Sequence, residues 1–122
     1  MGKITFTFLL IAMISCSGKN ENLVGFNSSY SRELTEDEFH NRNYKPTTIT
    51  ATDGKEFVDF EIQLFQAGCM SFEGDIEIKA DTLRLNYWNI TDEVCDELVV
   101  YKLNYRVKKT YAENLPVELI RK

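Results

Sequence analysis

Between residues 56 and 108, apolar and polar side chains alternate with a period of two. No other feature restricts the fold as strongly. In residues 56–66, Val58, Phe60, Ile62 and Leu64 fall on one side, and Asp59, Glu61 and Gln63 on the other. In residues 70–79, Met70, Phe72, Ile76 and Ile78 alternate with Ser71, Glu73, Asp75, Glu77 and Lys79. Leu83, Leu85 and Tyr87 repeat the pattern, as do Val99, Tyr101, Leu103, Tyr105 and Val107. Strands of this kind bury one face and wet the other, which is the signature of an antiparallel sheet. The predicted class is all-β. The connections are short, so sequential strands are expected to pair as a meander of about five to six strands. A small sandwich or a partly open barrel would bury such faces.

Turn signals set the register. Asp53-Gly54 marks a two-residue hairpin after the β-branched residues 47–52. With Ala80-Asp81 as a second two-residue loop, Lys79 faces Thr82, Ile78 faces Leu83, Glu77 faces Arg84 and Ile76 faces Leu85. Apolar then meets apolar and acid meets base. Continued, this ladder sets Cys69 beside Asp92. Residues 115–120 are predicted to add an edge strand. One short helix is expected over residues 36–42. Thr35 and Glu38 form a capping box there, Leu34 and Phe39 a hydrophobic staple, and Pro46 a stop. Residues 33–122 are therefore read as a single small β-domain. Residues 17–32, rich in Ser, Gly and Asn, are read as a flexible tether reaching about 20 Å.

The first residues read as an address. Lys3 gives a positive start, and an uncharged apolar run follows from Ile4 to Ile14. That run is too short to span a bilayer, which needs about 20 apolar residues. Its length suits the apolar region of a signal peptide. Met13-Ile14-Ser15-Cys16 then resembles the lipobox of bacterial lipoproteins, with a small residue ahead of the Cys; Met13 stands where Leu is usual. The resemblance covers residues 1–16 alone. It implies removal of residues 1–15, a diacylglyceryl thioether on Cys16 and acylation of the new amino terminus. Two or three chains anchor stably where one binds only marginally. The implied partner is the lipid bilayer, and the implied location is the cell envelope. Ser17, where an Asp would resemble an inner-membrane retention signal, points to the outer membrane. The sequence leaves open which face of that membrane the protein occupies.

With Cys16 acylated, Cys69 and Cys95 remain from a total of three cysteines. An extracytoplasmic compartment permits a disulfide between them. It would close a loop of about 27 residues and contribute about 3.5 kcal/mol in the chain-entropy model. The predicted ladder already brings Cys69 within three residues of Cys95.

Chemistry is sparse. A net charge of −5 argues against non-specific nucleic-acid binding, which needs a basic footprint. There is one histidine, His40, and no CxxC pair, nucleophile elbow or Gly-rich phosphate loop. No cofactor, metal site or catalytic group is predicted, and the expectation is a non-enzymatic binding module. Under the meander, Asp59 and Glu61 would face Asp75 and Glu73. That arrangement calls for a different register, splayed side chains, or a cationic partner or divalent ion that neutralises the cluster; catalytic carboxylates of the glycosidase kind are disfavoured, because an open sheet face offers no cleft to raise one pKa. Asp92, Glu93, Asp96 and Glu97 make the loop around Cys95 acidic. Phe65, Trp88 and Ile90 fall out of phase with the core and form a candidate binding patch, unless a neighbouring segment covers them. The leading expectation is an envelope lipoprotein binding a protein, a polysaccharide or a small hydrophobic ligand. The alternative is an inhibitor or immunity-type lipoprotein that neutralises a basic cell-wall hydrolase. Lysozyme-inhibitor lipoproteins are similar in size, but their Ser-Gly-rich motif is not found here.

Overall fold

The computed structural model describes residues 19–34, 36 and 47–122. Among these residues seven strands form in chain order: β1 (Leu23–Glu33), β2 (Thr47–Asp53), β3 (Phe57–Gly68), β4 (Phe72–Lys79), β5 (Thr82–Asn89), β6 (Cys95–Lys108) and β7 (Val117–Arg121). A four-residue helix, α1 (Lys109–Ala112), separates β6 from β7. The strands make two sheets, one ordered β1-β6-β3-β2 and the other β4-β5-β7. The expected helix over residues 36–42, with Thr35 and His40, lies outside the described residues, Glu36 aside. Cys16 and the rest of residues 1–18 lie outside them too.

One apolar core joins the sheets, and it uses the faces that the alternation marked. Val58, Phe60, Ile62, Leu64, Val99, Tyr101, Leu103, Tyr105 and Val107 come from the four-stranded sheet; Phe72, Ile76, Leu83, Leu85 and Tyr87 come from the other. Aromatic edges meet across the gap: Phe72 packs against Tyr101, with centroids 5.1 Å apart. Fully burying a side chain of this size contributes about 1.5–3 kcal/mol, so these faces hold the sheets together.

The meander is corrected. Among the described residues only β2–β3 and β4–β5 pair as sequence neighbours; β3 pairs with β6, and β6 with β1. Charge supplies a reason. Had β3 paired with β4, Asp59 and Glu61 would have faced acids. Against β6, Asp59 lies opposite Arg106 and Glu61 opposite Asn104. Opposite charges on facing positions stabilise a sheet, and like charges destabilise it. The chain then crosses between sheets at residues 69–71, where Cys69 takes a left-handed φ of 67°.

The tether is corrected as well. Most of it is β1, which pairs along β6 from Leu23 opposite Val107 to Glu33 opposite Val99. Phe26 explains why. Its ring lies on Tyr105, with centroids 4.9 Å apart, and fills the space above Gly74, where a Cβ would come within 2.5 Å of the ring. Ser28 Oγ also donates to the Phe72 carbonyl at 3.3 Å, tying β1 to β4. The folded part of the chain thus begins well before residue 33.

Both local turns form hairpins. Ala80 and Asp81 have φ of 52° and 58°. The register is the predicted one, from Lys79 opposite Thr82 to Ile76 opposite Leu85. The β2–β3 turn is centred two residues later than expected. Asp53 pairs with Val58, and the Gly54 amide donates to the Phe57 carbonyl at 2.8 Å. Gly54 is needed for this close approach, since a Cβ there would lie 2.8 Å from that oxygen. The C-terminal segment is an edge strand, as expected, but it runs parallel to β5.

Candidate functional site

Residues that alternate with the core cover the outer face of the four-stranded sheet. Their pairings set them in rows across β2, β3, β6 and β1. Thr52, Asp59, Arg106 and Gly25 make one row; Thr50, Glu61, Asn104 and Asn27 make the next. Arg106 donates from Nε to Asp59 Oδ1 at 2.8 Å and from Nη2 to Oδ2 at 3.0 Å. Its guanidinium also lies over the Phe57 ring at 5.6 Å. Two fixed bonds and a stacked ring hold this long side chain in one orientation. The hydrogen bond from Arg106 holds the Asp59 carboxyl below its usual range, and the same bond raises the guanidinium. In the next row, Asn104 Nδ2 donates to Asn27 Oδ1 at 3.1 Å.

Gly25 leaves a gap in this surface. A Cβ there would have only the Arg106 Cβ near it, at 4.0 Å. The result is a shallow hollow of about 470 Å³ lined by Gly25, Asn27, Asp59, Asn104 and Arg106 with parts of Phe26 and Tyr105. Its charges are paired and its polar groups are amides and a guanidinium already held in place. A second cavity, of about 350 Å³, opens between the β2–β3 pair and the α1–β7 connection, beside Ala51, Phe60, Leu115 and Val117.

The acidic four do not gather. Asp59 pairs with Arg106, and Glu61 with Lys102 at 3.7 Å. Glu73 and Asp75 lie on the other sheet, where Glu73 pairs with Lys19 and Asp75 accepts from the Asn20 amide at 3.0 Å. The hydrogen bond from Lys19 lowers the Glu73 carboxyl. Among the described residues no group of three or more His, Cys, Asp or Glu is placed to hold a metal ion.

The structure divides the apolar patch. Phe65 lies on β3 opposite Val100, whereas Trp88 lies on β5 opposite Glu73. Each alternates with core residues, so they sit on the outer sides of different sheets. Their expected proximity depended on β3 pairing with β4. Ile90 follows β5 and is exposed; its amide donates to the Ser71 carbonyl at 2.9 Å.

The disulfide joins Cys69 to Cys95, as expected, with Cα atoms 5.5 Å apart. Tyr101 braces the same crossover from inside: its hydroxyl donates to the Ala67 carbonyl at 2.9 Å and accepts from the Met70 amide at 3.0 Å. Beyond the bridge, Asp92, Glu93, Asp96 and Glu97 have no ion-pair partner among the described residues. Ile90 and Val94 are each 58% exposed beside them.

Sequence reasoning missed the hollow. Its residues come from β1, β3 and β6, and the composition of β1 is that of a tether. The available signal was faint: Phe26, Ser28 and Tyr30 alternate with Gly25, Asn27 and Ser29. No family model, curated protein or solved structure matches this chain.

Proposed function

We propose that this chain is a lipid-anchored envelope lipoprotein whose β-domain is a non-enzymatic binding module. The outer face of the four-stranded sheet would receive a neutral, polyhydroxylated ligand such as a glycan. The hollow at Gly25 carries the ligand part of the reading. Paired charges attract no ion strongly, whereas fixed amide, carboxylate and guanidinium groups offer donors and acceptors in set directions. Little side-chain entropy is lost when such groups meet hydroxyls. Met13-Ile14-Ser15-Cys16 carries the anchor, and the outer membrane is its proposed location. Lys19 follows Cys16 by three residues, a span of about 10 Å at full extension, so the domain would sit close to the headgroups.

The test is calorimetric titration of the lipidated protein with neutral and acidic oligosaccharides. A neutral oligosaccharide is expected to bind, and Asp59→Ala and Asn104→Ala are each expected to weaken it tenfold or more. Absence of neutral-glycan binding, or binding unchanged in both variants, would refute the ligand assignment.

The hydrolase-inhibitor alternative is favoured by the acidic loop around Cys95, whose four carboxylates have no ion-pair partner among the described residues, and by the exposed Ile90 and Val94 beside it. Its mark would be capture of a basic hydrolase that fades steeply between low and physiological salt.

A further inference from the structure

A sheet edge presents unpaired backbone donors and acceptors, and soluble domains usually protect it with bulges, Lys, Pro, shortness or a covering segment. Among the described residues, three of the four sheet edges are protected. Along β1 there are two register shifts, and Ser28 meets Phe72 of β4. β4 is covered in part by Asn20, whose amide reaches Asp75 and whose side chain donates to the Ile76 carbonyl at 3.2 Å. β7 has five residues and carries Glu118 and Arg121.

Among the described residues β2 has none of these devices. Its sequence, Thr-Thr-Ile-Thr-Ala-Thr-Asp, contains no Lys and no Pro. Its register on β3 runs without a shift from Thr47 to Asp53. Six of its seven residues are exposed, and Ile49 stands 40% exposed. Among the described residues nothing pairs with its outer edge.

We propose that the free edge of β2 pairs with β2 of a second copy of this chain, antiparallel and centred on Thr50, making one continuous eight-stranded sheet. The sequence is self-complementary in that register. Thr50 meets Thr50, Thr48 meets Thr52, Ile49 meets Ala51 and Thr47 meets Asp53. No like charges face each other, and cross-strand Thr pairs stabilise such contacts. β-branched residues suit the extended backbone. The two-fold axis of this pairing stands perpendicular to the sheet. Both copies therefore present the outer face of the four-stranded sheet on the same side and Lys19 on matching sides. Two anchors could then enter one bilayer, if the anchor proposed above holds; the pairing itself does not depend on it.

Cysteine substitution in the full lipidated chain tests this, read as covalent dimer on non-reducing gels after mild oxidation. Residues directly opposite across antiparallel strands have Cα atoms about 4.5–5.5 Å apart, within disulfide range. Thr50→Cys is expected to give at least fivefold more dimer than Thr48→Cys or Thr52→Cys alone. Mixing those two single variants should link them to each other. Light scattering of the wild-type protein in detergent should show mass rising towards a dimer with concentration, and Ile49→Lys should shift that rise tenfold or more upwards. A wild-type protein that remains monomeric at millimolar concentration would overturn the proposal, as would equal cross-linking at all three positions.

Discussion

Tyr101 concentrates several constraints in one hydroxyl. The ring fills the core against Phe72, and the oxygen bridges Ala67 and Met70 on either side of the disulfide crossover. Tyr101→Phe keeps the ring and leaves a carbonyl and an amide without their partner. Loss of a bonded partner to a buried group costs about 1–3 kcal/mol, so urea denaturation should show a destabilisation of that order. Tyr105 gives a different test. Its hydroxyl donates to the Asn86 carbonyl at 2.7 Å, and burial raises its pKa well above the usual tyrosine value. The neutral hydroxyl is therefore favoured in the folded state. Its contribution is fully present below about pH 10, the unfolded value, and declines as the pH rises through and beyond it. Stability should fall above pH 10, and Tyr105→Phe should flatten that part of the profile. Asp59 has the opposite sign. Its folded pKa is lowered by Arg106, so its small surface contribution is present above the ordinary carboxylate range and disappears as acid protonates it.

At the scale of elements, the faces were legible and the partners were only partly so. Alternation shows which side of a strand is apolar, and nearly all residues marked that way are buried. It does not show what lies beside the strand. The β4–β5 register was legible because a two-residue loop fixes it locally. The β3–β6 pairing joins residues far apart in sequence, and only the charges hinted at it. β1 was missed because its composition is that of a linker, and because the cue to its place, the fit of Phe26 over Gly74, exists only after folding. Two predictions belong here. Hydrogen exchange should find amides of residues 23–33 protected, at a level set by their pairing with β6; free exchange would restore the tether reading. Replacing Cys69 and Cys95 by Ala should cost about 3.5 kcal/mol, measured by thermal or denaturant unfolding under non-reducing conditions.

For the whole molecule, the proposed lipid anchor at Cys16 would tether a domain that presents a polar sheet face. The candidate site was only half legible: Asp59 was singled out for its charge, but Arg106, Asn104, Asn27 and Gly25 become a site only once β1, β3 and β6 lie side by side. A short connection between Cys16 and β1 would hold that domain close to the membrane surface. The proposed anchor is decided by the intact mass of the protein from its native membrane fraction. The expected mass is that of a chain beginning at Cys16, carrying two or three acyl groups and gaining two protons when the Cys69–Cys95 bridge is reduced. A mass for a chain beginning elsewhere, without lipid, would contradict it.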